Sequence, residues 1–204
     1  MDPKEYVRQV GGAARTAAAQ LAVTRGEQRD AALRACAKAI REHRNEIQAA
    51  NVKDIARKDE FGLTDAMVKR LTLDDRRIER MAAALEEMAG QVDPVGKAVA
   101  AYNRPNGLRI EKRRVPIGVV GIIFESRPNV TSDAAGLCLK SANACILRGG
   151  KEALHSNLAI AEALRQGIDA AGLPAESVTV IDTTDREVVP AMARAEGLID
   201  LIIP

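Results

Sequence analysis

The chain has 204 residues, with 30 Lys and Arg against 28 Asp and Glu, a formal net charge of +2, 47% hydrophobic residues and 2% aromatics. This supports one core-forming domain, or a domain with an appendage, and argues against a nucleic-acid surface built on basic patches and base stacking. No apolar run reaches membrane-spanning length and no signal-peptide pattern follows Met1. Three scattered cysteines and two histidines, His43 and His155, offer neither a disulfide framework nor a metal cluster. A soluble cytoplasmic protein is expected, with no metal and no nucleic-acid or membrane partner.

Residues 1–95 read as helical and Ala-rich. Leu33, Cys36 and Ile40 fall at spacings of three and four, and Ile47, Val52 and Ile55 extend the pattern, so one long amphipathic run is expected over 27–57, roughly 45 Å at the helical rise. Thr72-Leu73-Asp74-Asp75 resembles a capping box opening a second helical block. Met81, Leu85 and Met88 supply its apolar stripe and Gly90 its stop.

Residues 96–115 form a candidate hairpin or arm. Pro105-Asn106-Gly107 is a turn signal, and Leu108-Arg109-Ile110-Glu111-Lys112-Arg113-Arg114-Val115 interleaves charge with apolar residues. A partly exposed strand is expected, with Ile110 inward. It serves either as an edge that pairs with another subunit or as a solvated arm.

From residue 116 to 204 the pattern alternates between strand and helix. Strands are expected over 119–124, 144–147, 178–181 and 198–203, and helices over 131–142, 152–171 and 187–195. Leu154, Leu158, Ala161, Leu164 and Ile168 mark one face of the middle helix, which Gly172 and Pro174 end. Short apolar strands separated by helices specify an α/β fold: a parallel sheet covered on both faces, preceded by a helical region. In such sheets ligands sit outside the carboxyl ends of the strands, which here are the loops around residues 125–129 and 148–151.

Arg148-Gly149-Gly150-Lys151 lies between a buried strand and a helix. Two glycines, a helix amino terminus and two flanking cations suit a nucleotide phosphate. The plainer reading is a tight turn with surface cations. Neither Gly-x-Gly-x-x-Gly nor a P-loop sequence is present. One strand earlier, Arg127-Pro128-Asn129 occupies the equivalent loop, where Asn129 can either cap the next helix or donate to a developing oxyanion. Cys138 and Cys145 lie in apolar runs and read as inert core thiols. His155 is expected to face solvent, and no Ser/His/Asp constellation is visible.

The segments Val115-Pro116-Ile117-Gly118-Val119-Val120-Gly121-Ile122-Ile123-Phe124-Glu125-Ser126-Arg127-Pro128-Asn129-Val130-Thr131, Leu137-Cys138-Leu139-Lys140-Ser141-Ala142-Asn143-Ala144 and Ile146-Leu147-Arg148-Gly149-Gly150-Lys151-Glu152-Ala153 carry a resemblance. They resemble the gamma-glutamyl phosphate reductases, a branch of the aldehyde dehydrogenase superfamily. Asp93-Pro94-Val95-Gly96 and Pro105-Asn106-Gly107-Leu108 fit as well, so the resemblance spans essentially the whole chain.

The resemblance implies a Rossmann-like sheet without the glycine fingerprint, and NADPH-dependent reduction of L-glutamyl 5-phosphate to L-glutamate 5-semialdehyde with release of phosphate, in proline biosynthesis. It implies that a cysteine thiolate attacks the acyl phosphate and that hydride reduces the thioester. By the same resemblance, Arg148, Gly149, Gly150 and Lys151 hold the adenosine end of NADPH. Ser126 and Arg127 also line the cofactor site, and Asn129 is the oxyanion donor near the reacting carbonyl. The family is expected to form homo-oligomers.

The family's nucleophilic cysteine lies in a later domain, and this sequence stops at Leu201-Ile202-Ile203-Pro204. The expectation is an amino-terminal portion that is inactive alone, with a non-catalytic nucleotide-binding or assembly module as the alternative.

Overall fold

A computed structural model describes residues 2–204. Helix α1 (Pro3–Leu21) opens on Asp2, whose carboxylate accepts from the Glu5 N–H, with proline at the first helical turn. The run expected over 27–57 is two helices, α2 (Gly26–Glu42) and α3 (Arg44–Ala56), broken at His43 (φ −91°, ψ 18°). The buried stripe also changes. Val52 is exposed and Ile55 half-buried, whereas Ile47, Asn51 and Asp54 face inward. That face is polar because it meets backbone donors and acceptors of other segments, and buried groups of this kind need partners.

Helix α4 (Asp65–Leu71), which the sequence pattern did not single out, ends at Thr72. Helix α5 (Asp75–Gly90) is therefore capped by Asp74, which accepts from the Arg77 N–H at 2.8 Å, rather than by Thr72. Gly90 is its last residue, as expected.

Strands β1 (Ala98–Asn103) and β2 (Arg109–Arg113) pair as an antiparallel hairpin, with every residue of β1 exposed and Ile110 half-buried. The hairpin is anchored at its base by a buried arginine. Arg29, 1% exposed, forks onto both oxygens of Asp93 at 2.9 and 2.8 Å, and Asp93 in turn accepts from the Val95 N–H.

The main sheet contains β3 (Val119–Ile123), β4 (Ala144–Arg148), β5 (Val178–Val180) and β6 (Leu201–Ile203), all parallel, in the order β5-β4-β3-β6. The connecting helices are α6 (Asn129–Lys140), α7 (Leu154–Ala170) and α8 (Val188–Ala193). Only 201–203 of the expected strand over 198–203 pairs, because the chain first turns through Gly197 at φ +76°. α6 and α7 pack on β4 and β5 and on each other, while α1 packs on the sheet and on α8. Right-handed crossovers require this: two steps outward put α6 and α7 on one face, and the return to β6 puts α8 on the other. Gly118 (φ +124°) admits the chain into β3. A Cβ there would lie 2.1 Å from a carboxylate oxygen of Asp200, which accepts from the Val119 N–H.

One hydrophobic core runs from Val7 in α1 to Met192 in α8, so the amino-terminal helices are continuous with the sheet. Each fully buried Leu or Ile contributes about 1.5–3 kcal/mol. A close backbone approach joins α2 and α7. A Cβ on Gly167 would sit 2.6 Å from both N and Cα of Cys36, and the Cys36 thiol donates to the Leu164 carbonyl at 3.3 Å. Lys140, buried on α6, donates from Nζ to Asp30 on α2, drawing the outer helices onto this layer.

Gly167→Ala forces these two backbones apart. It is expected to lower unfolding stability by about 1–3 kcal/mol in urea titrations, because neither helix can yield by a rotamer change. Tyr6 on α1 donates to Asp182 at 2.6 Å after β5, and burial followed by this carboxylate pushes its phenol up from 10.0 to about 12. A raised pKa means the native state keeps its proton longer. Stability held below pH 10 is then lost as pH rises from 10 toward 12. Denaturation melts across that range should show a smaller alkaline loss in Tyr6→Phe than in the parent.

Candidate functional site

The strand order reverses beside β3: β4 and β5 step one way and β6 lies on the other side. Crevices form at such switch points, outside the strand carboxyl ends. Here an open cleft of about 650 Å3 is lined by Ile123, Phe124, Glu125, Arg127, Val130 and Pro204. Arg127 and Asn129 are exposed, Ser126 is half-buried, and Pro128 occupies the cap position of α6 with no side-chain bond. Asn129 therefore begins the helix rather than capping it.

The loop after β4 packs directly on the loop after β3. The Ser126 hydroxyl donates to Glu152 at 2.7 Å, and a Cβ on Gly150 would stand 2.6 Å from both partners. Gly149 would place a Cβ 2.2 Å from the Asn157 amide nitrogen and 3.1 Å from the Phe124 ring. Both glycines thus pack closely against the protein's own side chains, which any larger residue would displace, and neither has positive φ.

The cations of this loop are less satisfied. Arg148 has a buried Nε with no hydrogen-bond partner, and burial lowers its pKa, helped by nearby Arg186 and opposed by Glu152. Lys151 stands 4.9 Å over the Phe61 ring, with Arg57 4.6 Å from the same ring. Among the described residues, Arg148, Lys151 and Arg186 form no ion pair. Guanidinium and ammonium groups that form no ion pair, with Glu152 the carboxylate acting on Arg148, leave donors that suit a phosphate or a ribose hydroxyl.

α7 has no side-chain cap of its own. Asp54 of α3, 1% exposed, supplies one from outside: its carboxylate accepts from the His155 N–H at 3.2 Å, the Ser156 N–H at 2.8 Å and the Ser156 hydroxyl at 2.6 Å. The His155 ring lies 2.7 Å from the same carboxylate. Histidine, aspartate and serine do therefore meet, contrary to the sequence reading. The serine is fully buried and donates to the aspartate, which is helix capping and not nucleophile activation. Asn51, one turn earlier, donates to the Leu71 carbonyl at 2.9 Å and accepts from the Leu73 N–H at 2.8 Å, fixing the approach to α5.

A cavity of about 440 Å3 lies between α5 and α6, lined by Arg70, Arg77, Arg80, Arg127, Asn129 and Asp133 among others. The Asn129 amide donates to Asp133 at 2.9 Å, and burial raises the Asp133 pKa against that bond. Arg127 lines both this cavity and the β3–β6 cleft.

The sequence profile described as the aldehyde dehydrogenase family matches residues 2–202. The chain belongs to that family. It is 52% identical over 203 residues to the gamma-glutamyl phosphate reductase of Rhizorhabdus wittichii, covering 100% of this chain and 47% of that protein. It superposes on the gamma-glutamyl phosphate reductase of Thermotoga maritima with a TM-score of 0.93 and 40% identity, covering 97% of this chain and 48% of that one. The NAD-dependent aldehyde dehydrogenase of Sinorhizobium meliloti shares the fold alone, at a TM-score of 0.75 and 20% identity, with 98% of this chain and 37% of that one covered. The chain spans about half the length of the curated relatives it matches.

As an aldehyde dehydrogenase-family fold, the structure brings Ser126, Arg127 and Asn129 to one loop and Arg148, Gly149, Gly150 and Lys151 to its neighbour. Sequence reasoning missed Arg186, Phe61, Arg70, Arg77, Arg80 and Asp133. The arginines of α5 look like the solvated face of an amphipathic helix, and only the placement of α6 closes a cavity over them. All three cysteines are buried. Burial pushes Cys36 up to about 12, and the hydrogen bond with Cys138 together with burial pushes Cys145 well up.

Asp54→Ala leaves two helix N–H groups and a buried hydroxyl without an acceptor. It is expected to cost about 2–4 kcal/mol by urea unfolding. Tm measured alongside should fall further than in His155→Ala, which leaves the backbone cap intact.

Proposed function

We propose that this chain is the cofactor-binding part of a reductase that uses NADPH to convert L-glutamyl 5-phosphate to L-glutamate 5-semialdehyde with release of phosphate, a cytoplasmic reaction of proline biosynthesis. The observation that carries the reading is the match of this chain, from end to end, to gamma-glutamyl phosphate reductases, with the unpaired cations standing at the loop where the resemblance expects the cofactor.

The residues fit that cofactor. Arg148, with its orphaned Nε, and Lys151 hold its anionic adenosine end, joined by Arg186 beyond β5. Gly149 and Gly150 keep that loop pressed against Phe124 and Ser126, so the cations are presented at a fixed height above the strand ends. When bound, NADPH supplies the two electrons that reduce the acyl group. In the preceding loop, Arg127 faces the cleft and Ser126 ties that loop to Glu152. Asn129 keeps one amide hydrogen free beyond Asp133, a donor for a developing oxyanion. The reacting thiol lies outside these 204 residues, since Cys36, Cys138 and Cys145 are buried among apolar side chains. The chain alone is accordingly inactive.

The assembly reading is favoured by one observation, the hairpin within residues 96–115. Its strand β1 is exposed throughout, with Val99 and Tyr102 open to solvent, and it fits an arm that pairs with a second subunit.

The double variant Arg148→Glu/Lys151→Glu is expected to lower NADPH affinity by at least about ten-fold in fluorescence titrations, with an unchanged thermal melt. Affinity equal to that of the parent would leave this loop as a turn and remove the support for the cofactor site.

A further inference from the structure

The cavity between α5 and α6 has a charge pattern that points to a particular ligand chemistry. Four arginines and one carboxylate line it, together with the apolar Leu73, Met81 and Ala84. Two of the arginines are occupied by the fold. Arg77 donates to the carbonyls of Lys69 and Thr72, closing the end of α4, and Arg70 bonds back to the Ala66 carbonyl at 3.4 Å. Arg80 and Arg127 donate from their side chains to nothing among the described residues, and neither forms an ion pair. Asp133 is the mirror case: it has no cationic partner, and its one bond comes from the neutral Asn129 amide.

Arg80 on α5, Arg127 just before α6 and Asp133 on α6 line one cavity without forming an ion pair with one another. A simple dianion would use the arginines and be opposed by Asp133. A simple cation would meet the reverse. A group carrying a carboxylate and an ammonium on one carbon satisfies all three at once.

Resting on the reductase reading, we propose that this cavity is the subsite for the α-amino acid head group of the substrate, with Arg80 and Arg127 binding the α-carboxylate and Asp133 the α-ammonium. With the amide hydrogen it gives Asp133, Asn129 also holds that carboxylate toward the cavity, keeping its second hydrogen for the acyl oxygen. Leu73, Met81 and Ala84 cover the side-chain methylenes. Because Arg127 belongs to both the cavity and the cleft, a ligand held by its head group directs its far, acyl end toward the loop at Phe124–Ser126. The subsite would select amino acids over the corresponding plain acids, because a plain acid brings no cation to the Asp133 carboxylate.

The test is calorimetric titration of the full chain with L-glutamate, glutarate (no ammonium) and 4-aminobutyrate (no α-carboxylate), with NADPH titrated in parallel. L-Glutamate should bind at least about ten-fold more tightly than either analogue. Asp133→Asn should erase the preference for L-glutamate over glutarate while leaving glutarate affinity within about two-fold, and Arg80→Ala should weaken L-glutamate by about ten-fold. The ligand series on the parent chain decides the matter even if a variant misfolds. Equal binding of L-glutamate and glutarate, or no L-glutamate binding by a chain that binds NADPH, overturns the head-group assignment and leaves the cofactor reading standing. Preference for L-glutamate without NADPH binding supports the subsite and sinks the cofactor reading instead.

Discussion

The buried side chains of Asn51 and Asp54 are the constraint on which the two halves of the site depend. Asp54 places a carboxylate at the start of α7, where unpaired N–H groups and the helix dipole favour negative charge. That contact fixes where α7 begins and therefore where the loop carrying Arg148 and Lys151 stands. Asn51 reaches the Ser156 hydroxyl at 3.0 Å and also binds both sides of the 71–73 segment. The same network thus sets the entry to α5 and the height of Arg77 and Arg80. A polar face on α3 is the necessary consequence, and the break at His43 lets α2 and α3 pack separately on α7.

Close helix packing is the second structural theme, and it accounts for the composition. Aromatics are 2% of the chain, and the helix contacts combine alanine and glycine with leucine and isoleucine. Gly167 lets α7 meet the backbone of α2, and Gly136 gives way to Leu85 and Met88 of α5, where a Cβ would come within 2.7 Å. Layers this near to one another are filled by aliphatic rather than aromatic side chains. Stability comes instead from many small contacts at near-crystalline density. The Lys140–Asp30 pair sits inside this packing. Removing one of its partners would leave a largely buried charge, which is far more costly than the pair is beneficial.

The α/β alternation after residue 116 was legible because each strand is continuously apolar and each connection is short. Boundaries fell within a few residues except at β6, where the turn through Gly197 postpones pairing to Leu201. The helical region was harder. Ile47, Val52 and Ile55 continue a plausible apolar rhythm, but Asn51 and Asp54 are the residues the fold buries. Periodicity detects apolar faces only, so a buried polar face reads as the solvent side. Thr72 misled for a related reason: it closes one helix while Asp74 opens the next, and a capping motif cannot say which helix it serves.

By itself the sequence determined the parallel sheet, the two loops at its carboxyl edge and the kinship carried by Arg127-Pro128-Asn129 and Arg148-Gly149-Gly150-Lys151. These are local: a strand, a turn and a helix start are written within a dozen residues of one another. Only the tertiary structure decided what the glycines are for, which cations lack partners, and that Arg80, Arg127 and Asp133 share a cavity. Those properties belong to pairs of residues brought together from distant segments, and an unpaired charge is defined by everything that fails to approach it.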